Sequence, residues 1–394
     1  MTATDNEIYG LFNDSFPPVL DGVTLTVQNY ARGLIDLGHK VAVVTPWNPV
    51  TPDHNGVDLM RYFSLPIWNR RPYRYGYPKL DPFIWQKLRK RPFKLVHAHC
   101  PFSSGRLAAY CSKRNHVPLV ATFHSKYRTD LEHSLPPWMV KIAMKRIMAF
   151  YEMADEVWIP QAAVEETIRD YGYKGRVTVV ENGNDLSDVN VDELAFFKKN
   201  ARAKLGWDDA VLGLLFVGQH IKEKGVETII NSLSMLDSSV KWRMNFLGTG
   251  YDVDNMTRMV DSLGLRPNVT FHGVMSDREL LKTYYAASDL FLFPSMYDNA
   301  PLVVREAAAM GTPAVLPVGA TAAEVIVDNV NGFLCGNSAK DYALKISMLN
   351  ASRKSLGAVG LNAKSSLGRS WRDIIREVAD RYEEIIERYG HKRK

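Results

Sequence analysis

Two carboxylates bracket a predicted strand-to-helix turn in the second half of the chain. Asp298 follows the apolar run at 290–293, and Glu306 lies in a helical stretch that begins near Val303, with seven residues between the two acids. In an open parallel sheet such turns lie at the carboxyl ends of the strands, where ligands bind. A helix start there leaves backbone N–H groups free to receive a phosphate. The spacing therefore predicts a site for a phosphate-bearing ligand.

The elements that must position these acids alternate between strands and helices along the chain. A first series contains predicted strands at 7–12, 40–45, 94–99, 118–124, 156–159 and 176–181. A second series contains predicted strands at 211–217, 241–247, 268–272, 290–293 and 313–316. This alternation implies parallel sheets with right-handed crossovers, and we predict two Rossmann-like α/β halves. Apolar residues at helical spacing between 370 and 389 predict a final helix that must pack on another element.

Length and composition are those of an ordinary globular protein. With 394 residues, 46% hydrophobic and 23% charged, the chain suits two domains and is not expected to be disordered. The longest clean apolar run, at 211–217, is too short to span a bilayer, and the first residues lack the apolar segment of a signal peptide. A cytoplasmic location is therefore expected. Cys100, Cys111 and Cys335 form no CxxC pair and fit neither a disulfide framework nor a zinc site.

Four segments, taken in order, carry a family resemblance. Residues 16–23 are FPPVLDGV, 121–124 are ATFH and 216–225 are FVGQHIKEKG, while 298–306 matches an E-x7-E pattern with Asp in first place. With these strand contexts, the chain resembles the family 4 retaining glycosyltransferases of the GT-B fold, which use nucleotide sugars.

The resemblance implies an α/β architecture of two Rossmann-like domains facing a central cleft. Residues 1–188 would form an acceptor-binding domain and residues 189–369 a nucleotide-sugar-binding domain. Residues 370–394 would form a C-terminal helix that returns to the N-terminal domain.

The resemblance also assigns roles to four side chains. Glu306 would accept hydrogen bonds from the two ribose hydroxyls of the donor, a task for which a carboxylate has the acceptors. His124, Asp298 and Lys224 are the candidate catalytic residues: His124 and Asp298 would contact the donor sugar, and Lys224 would neutralise the diphosphate leaving group. Each side chain also has a structural interpretation. Glu306 could be an acid at a helix N-terminus that is stabilised by the helix dipole, and Asp298 could be an ordinary turn residue. Lys224 could cap a surface helix, and His124 could be a structural histidine.

Further donor contacts would be made by the backbone. Gly22 would let the chain approach a phosphate that a Cβ would block, although an ordinary Asp-Gly turn is the alternative. The backbone at Val274 would hold the base. Pro301 has no N–H group, so Ala300 and Leu302 are the expected donors to the diphosphate or sugar.

Besides Asp298, which stands where the family usually has Glu, and Pro301, which replaces a Gly, Gln219 departs from the family pattern. Gln219 stands where the family commonly has an arginine, and it supplies no charge. Either Lys222 or His220 compensates, or one cation and the helix dipoles suffice. His97 and His99 share one face of a strand and are interpreted as structural or peripheral.

The implied reaction is sugar transfer with retention, giving an α-glycoside, with the departing phosphate assisting deprotonation of the acceptor. A UDP-sugar donor is favoured over a GDP-sugar, and the donor is a substrate, so no cofactor and no metal are expected. Asp252-Val-Asp254 is not interpreted as a metal site because it follows Gly248-Thr-Gly250 on a different loop. Two alternatives stay open: a UDP-sugar 2-epimerase of the same fold and a non-catalytic sugar-nucleotide binding protein.

Basic residues concentrate between Arg61 and Lys94, a segment called here the basic aromatic patch. Ten Lys and Arg stand against one acid, Asp81, and are interleaved with Trp, Tyr and Phe. This mixture suits an anionic membrane surface, where each cation gains about 1 kcal/mol, and the helix at 138–148 adds three cations. We predict peripheral association with the inner membrane face and a lipid or glycoconjugate acceptor. A solvated surface is the alternative, and no module predicts nucleic-acid binding.

Overall fold

The computed structural model describes residues 7–19, 21–49, 56–68, 72–186 and 189–391. These residues form two compact α/β units, and the predicted α/β class is confirmed. The first unit contains the described residues up to Asn182 and those from Trp371 onward, and the second runs from Gly183 to Ser370. The structure divides the chain between residues 182 and 183, a few residues before the predicted boundary at 188/189. Leu186 already packs in the core of the second unit.

The first unit is built on a seven-stranded parallel sheet. In chain order its elements are β1 (Ile8–Phe12), α1 (Gly22–Asp36), β2 (Lys40–Pro46), β3 (Asp58–Tyr62), β4 (Ser64–Pro66), β5 (Arg74–Gly76), α2 (Pro82–Arg89), β6 (Phe93–Ala98), α3 (Ser103–Asn115), β7 (Leu119–Thr122), α4 (Tyr127–Glu132), α5 (Pro137–Glu152), β8 (Glu156–Ile159), α6 (Val164–Asp170) and β9 (Val177–Val179). The sheet order is β3-β2-β1-β6-β7-β8-β9, and β4 and β5 form a separate antiparallel pair. The strand order reverses between β1 and β6, which is where open α/β sheets bind ligands.

The second unit repeats this architecture with six parallel strands. Its elements are α7 (Leu194–Lys204), β10 (Leu212–Val217), α8 (Val226–Ser234), β11 (Trp242–Leu247), α9 (Val253–Ser262), β12 (Val269–Phe271), α10 (Arg278–Ala287), β13 (Leu290–Leu292), α11 (Leu302–Ala309), β14 (Ala314–Pro317), β15 (Phe333–Cys335), α12 (Ala339–Ala351) and α13 (Leu356–Leu367). The sheet order is β12-β11-β10-β13-β14-β15. The order reverses between β10 and β13, so the loops that follow these two strands flank the expected ligand position.

The last helix, α14 (Trp371–His391), belongs to the first unit, as predicted. It packs on α1, where Gly33 faces Ile375 so closely that a Cβ at Gly33 would lie 2.9 Å from that side chain. The buried face of the helix consists of Trp371, Ile374, Ile375, Val378, Ala379, Tyr382 and Ile385. None of the helices in the described part of the chain combines the length and the apolar character needed to cross a membrane.

Candidate active site

Lys224 and Asp298 meet on the two loops at the strand reversal of the second unit. Lys224 ends a short turn of 3₁₀-helix after β10, and its ammonium forms an ion pair with Oδ1 of Asp298 in the loop after β13. The side chains are only 13% and 15% exposed. Gly225 follows with φ of 69°, and a Cβ there would lie 2.9 Å from the carbonyl oxygen of Pro294. Glycine at this position therefore lets the two loops approach closely enough for the ion pair.

Ser295 fixes the second oxygen of Asp298. Its hydroxyl donates to Oδ2 of Asp298 at 2.5 Å and lies 3.3 Å from the backbone nitrogen of Asp298, which donates to it. Both carboxylate oxygens of Asp298 therefore have protein partners. The short side chain, which the sequence marked as a departure from the usual Glu, reaches both Lys224 and Ser295.

Glu306 is buried in α11 and is held by two donors from α10. Arg278 Nη2 donates to Oε1 at 3.0 Å, and the Tyr285 hydroxyl donates to Oε2 at 2.8 Å. Arg278 also forms an ion pair with Asp185. Burial alone would lower the pKa of Arg278, but Glu306 and Asp185 raise it above its usual value. Burial and the charge of Glu306 raise the pKa of the Tyr285 hydroxyl well above its usual range, so this group stays a donor.

Arg278, Tyr285 and Asp185 were missed by the sequence reasoning. Arg278 follows Asp277, which caps α10, so Ser-Asp-Arg-Glu reads as an ordinary helix start. The available signal was the Tyr284-Tyr285 pair in the predicted helix before the strand at 290–293.

The loops after β10, β11 and β12 approach one another through glycines. Gly248 has φ of 127°, and a Cβ there would lie 1.9 Å from the carbonyl oxygen of Gly218. The Gly248 N–H donates to the carbonyl oxygen of Gly273 at 2.7 Å. Gln219 and Val274 are exposed and lie next to these contacts, so the two residues belong to one group of loops.

His220 does not supply the charge that Gln219 lacks. It is buried among Phe216, Phe246 and Phe271, with ring centroids 6.0, 6.0 and 6.2 Å away. Burial lowers the pKa of His220 to about 4, and neither ring nitrogen has a hydrogen-bond partner among the described residues. The imidazole is therefore neutral near pH 7. Of the two side chains proposed to compensate, only the exposed Lys222 carries a charge.

The start of α11 places the remaining predicted donors. Pro301 occupies the N-cap position, and Leu302 is the first helical residue. The N–H of Leu302 is therefore one of those that an α-helix leaves without an intrahelical partner. Ala300, half-buried, immediately precedes the cap.

Two predicted site residues belong to the first unit. Gly22 opens α1, is exposed, and has no atom within 4 Å of a Cβ built on it, so the folded unit itself does not require glycine there. Asp21 caps the helix by accepting from the N–H of Thr24 at 2.7 Å. The preceding loop is anchored by Asp14, whose Oδ2 accepts from the Cys100 thiol at 2.6 Å. Burial, followed by the charge of Asp14, raises the pKa of Cys100 well above its usual value, so this thiol is structural.

His124 follows β7 and is half-buried. Burial lowers its pKa to about 3. Its Nε2 lies 3.1 Å from Nδ1 of His99, which follows β6. His99, interpreted from the sequence as structural or peripheral, thus contacts the predicted catalytic histidine directly.

Comparison with known proteins places the chain in a family. The family model described as Glycosyltransferase Family 4 matches residues 20–188, and the model described as Glycosyl transferases group 1 matches residues 197–366. The chain is a family 4 glycosyltransferase. This glycosyltransferase is 23% identical over 310 residues to the alpha-monoglucosyldiacylglycerol synthase of Streptococcus pneumoniae, covering 78% of this chain and 70% of that protein. It is 24% identical over 371 residues to the enzyme of the same name from Acholeplasma laidlawii, covering 91% and 92%.

Solved structures confirm the GT-B fold of the glycosyltransferase. Anabaena Alr3699/HepE in complex with UDP superposes with a TM-score of 0.74 at 18% sequence identity, covering 96% of this chain and 100% of that one.

Proposed function

We propose that this glycosyltransferase transfers a sugar from a UDP-sugar to a lipid or glycoconjugate acceptor at the cytoplasmic membrane face, retaining the anomeric configuration to give an α-glycoside. The observation that carries the proposal is the ion pair of Lys224 with Asp298 on the loops at the β10/β13 strand reversal. The names of the two bacterial relatives support a diacylglycerol-type acceptor, and the UDP bound to Anabaena HepE supports the base.

Lys224 and Asp298 would exchange partners when the donor binds. The diphosphate of the donor attracts the Lys224 ammonium more strongly than a single carboxylate does. When the donor binds, Oδ1 of Asp298 becomes free to accept a hydrogen bond from a hydroxyl of the donor sugar. As the bond from the anomeric carbon to the phosphate oxygen breaks, negative charge grows on the leaving group. Lys224 and the N–H groups at the start of α11 stabilise that charge. No metal is required in this scheme.

The leaving phosphate would also receive the acceptor proton. The acceptor hydroxyl attacks the anomeric carbon from the face that the phosphate leaves, its proton passes to a phosphate oxygen, and the new bond keeps the α configuration. His124 would contact the sugar during this step.

Glu306 would orient the nucleotide through its ribose. An ionised carboxylate offers about four lone-pair sites. Arg278 takes one on Oε1 and Tyr285 takes one on Oε2, which leaves one site on each oxygen for the two vicinal ribose hydroxyls. Because Arg278 and Tyr285 lock the rotamer, the remaining acceptors are preorganised.

The test measures nucleotide release from UDP-glucose and GDP-mannose, with and without diacylglycerol in mixed micelles. Release that depends on acceptor, insensitivity to EDTA and an α-linked product by NMR are expected. Glu306→Gln and Lys224→Ala should each lower kcat/KM by roughly 10²–10³-fold, the loss found when a preorganised charge contact is removed. The exposed controls Glu279→Gln and Lys204→Ala should match wild type. Epimerised donor with no release would identify an epimerase instead, and donor binding without turnover would identify a binding protein.

The described side chains of the basic aromatic patch divide into two groups. Four of its cations make contacts within the first unit: Arg61 donates to backbone carbonyls, Arg74 donates to Ser64, Arg91 pairs with Asp58 and Lys94 pairs with Glu383. Arg70 and Arg71 lie outside the described residues. The exposed cations are Lys79, Lys87, Arg89 and Lys90, of which Arg89 also donates to the Tyr110 hydroxyl at 3.4 Å. The patch therefore offers fewer free charges than the sequence count implies.

Exposed apolar groups accompany these cations. Trp68 is 82% exposed, Phe83 71% and Leu80 66%. Aromatic and aliphatic side chains beside lysines are the combination that enters a membrane interface. On α5, Trp138 and Ile142 are likewise exposed. These groups support a peripheral membrane surface on the first unit.

Flotation with anionic and neutral liposomes tests this surface. Replacing Lys79, Lys87, Arg89 and Lys90 with Gln should remove about 4 kcal/mol of binding to anionic vesicles, at about 1 kcal/mol per cation. The matched control replaces four exposed cations elsewhere, Lys113, Arg114, Lys174 and Lys199. Equal flotation of both variants with wild type would rule out the patch as the membrane contact.

A further inference from the structure

Three histidines form a continuous group at the carboxyl ends of β6 and β7, in which His97 stacks on His99 and a ring nitrogen of His99 faces one of His124. The rings of His97 and His99 are 4.1 Å apart at an interplanar angle of 28°, and those of His99 and His124 are 5.4 Å apart at 18°. His97 and His99 are fully buried, whereas His124 is half-buried. The backbone N–H of His99 donates to the carbonyl oxygen of Phe12 at 2.8 Å, which fixes His99 at the β1/β6 strand reversal.

The inner end of the histidine group is held on both ring nitrogens. Nδ1 of His97 lies 2.6 Å from the Tyr382 hydroxyl of α14, and Nε2 lies 2.7 Å from Oγ1 of Thr122. The His97 ring is therefore locked in place, and its stacked face limits how the neighbouring His99 ring can rotate.

His99 has one hydrogen-bonded nitrogen and one without a partner. Its Nδ1 lies 3.1 Å from Nε2 of His124, while its Nε2 is buried and has no hydrogen-bond partner among the described residues. Burial lowers the pKa of both histidines well below the usual value, so each carries one ring proton. Only one proton can lie between the two facing nitrogens.

The position of that proton follows from what each choice leaves buried. With the proton on Nδ1 of His99, its isolated Nε2 is a bare lone pair. With the proton on Nε2 of His124 instead, His99 must carry its own proton on the isolated Nε2, and a buried N–H donor is left without an acceptor. Buried donors without partners are the rarer and costlier case.

We propose that His99 is a positioning residue that donates from Nδ1 to Nε2 of His124 and so holds the proton of His124 on Nδ1. His124 then presents Nδ1–H as its hydrogen-bond donor and keeps one ring orientation. The hydrogen bond made by one ring nitrogen sets the protonation of the other. The consequence for sugar transfer rests on the function proposed above, whereas the tautomer does not.

The first test is the ¹⁵N NMR spectrum of histidine-labelled wild-type protein, with His124 assigned by comparison with His124→Gln. Bare Nε2 and protonated Nδ1 are expected for His124, and the same form for His99. A spectrum showing His124 protonated on Nε2 would overturn the proposal whether or not the protein transfers sugar.

The second test compares two replacements of His99. His99→Asn keeps an N–H donor near the position of Nδ1, and His99→Leu removes it. The Leu variant should lose the Nδ1–H form of His124. Its kcat should fall roughly ten- to hundredfold, the range seen when the outer hydrogen-bond partner of a metal-ligating histidine is lost, while KM for the nucleotide sugar stays within about twofold. The Asn variant should retain the tautomer and most of kcat, and the exposed control His133→Asn should match wild type.

The outcomes separate the two proposals. Equal kcat in the Asn and Leu variants, in proteins with the same melting temperature, overturns the positioning role. If no form of the protein transfers sugar but the spectra follow the expected pattern, the proposed function fails while the role of His99 in setting the tautomer of His124 is supported.

Discussion

Replacing His220 with Leu should make the second unit less sensitive to acid. The pKa of His220 is lowered from 6.5 to about 4, because the ring is buried among three phenylalanines. Between pH 6.5 and pH 4, His220 is therefore protonated in the unfolded chain but not in the native state. The contribution of the neutral His220 ring to the free energy of unfolding is therefore present at neutral pH and is lost as the pH falls through this window.

The size of the effect follows from the two pKa values. Each unit of difference is worth about 1.36 kcal/mol, and at pH 5 the linkage amounts to about 2 kcal/mol relative to neutral pH. Leu has no titrating group, so the stability gap between His220→Leu and wild type should widen by about 2 kcal/mol between pH 7.5 and pH 5. At pH 7.5 the variant should already be the more stable, since it no longer buries two ring nitrogens without partners, a cost of about 1–3 kcal/mol.

The measurement is urea-dependent hydrogen exchange of the amides of β10 and β11, which reports on the second unit alone. Other histidines with pKa values lowered by burial, His272 among them, titrate equally in both proteins and cancel in the comparison. A gap of the same size at both pH values would refute the reasoning, because it would mean that His220 titrates normally in the folded state.

Three further changes test the framework of the second unit. Gly248→Ala would place a Cβ against the Gly218 carbonyl oxygen and should lower both the melting temperature and UDP affinity; an unchanged melting curve contradicts the close approach. Asp289→Asn removes the charge shared by three buried or half-buried cations and should cost about 3–5 kcal/mol in urea unfolding, with a loss under 1 kcal/mol arguing against a central role. Tyr285→Phe takes one donor from Glu306 and should weaken UDP binding by about 1.5–3 kcal/mol in calorimetry, the value of a hydrogen bond to a charged group; wild-type affinity would show that Tyr285 does not orient the carboxylate.

The regular elements were predictable because their periodicity is strong. The strands β1, β10 and β13 contain no charged residue and are buried along nearly their whole length, and α1 and α14 carry apolar residues at helical spacing. The strands β4 and β5 were not predicted. The strands β4 and β5 have three residues each, with only one buried residue apiece, so no alternation distinguishes them from a loop. In the basic aromatic patch the sequence showed only that cations are concentrated. The structure shows which of them make contacts within the first unit.

The site was predictable only where a motif carried it. Lys224, Asp298 and Glu306 stand in recognisable patterns, but the pairing of Lys224 with Asp298 depends on β10 and β13 lying side by side, which no local pattern specifies. Arg278 and Tyr285 contact Glu306 because α10 packs on α11. The role of His220 was open in the sequence, and only its burial shows that it is neutral.

The first unit cannot be completed until the second unit has been translated, because its last helix lies at the end of the chain. Its helix α14 is translated after the whole of the second unit, although Tyr382 holds the inner end of the histidine group. At about 5–20 residues per second, the face of α1 that α14 covers waits roughly 17 to 70 seconds for its partner. During that interval the nascent chain carries an incomplete first unit, in which the face of α1 that packs on α14 is uncovered. A stop codon just before Trp371 would leave the second unit whole and make that transient state permanent.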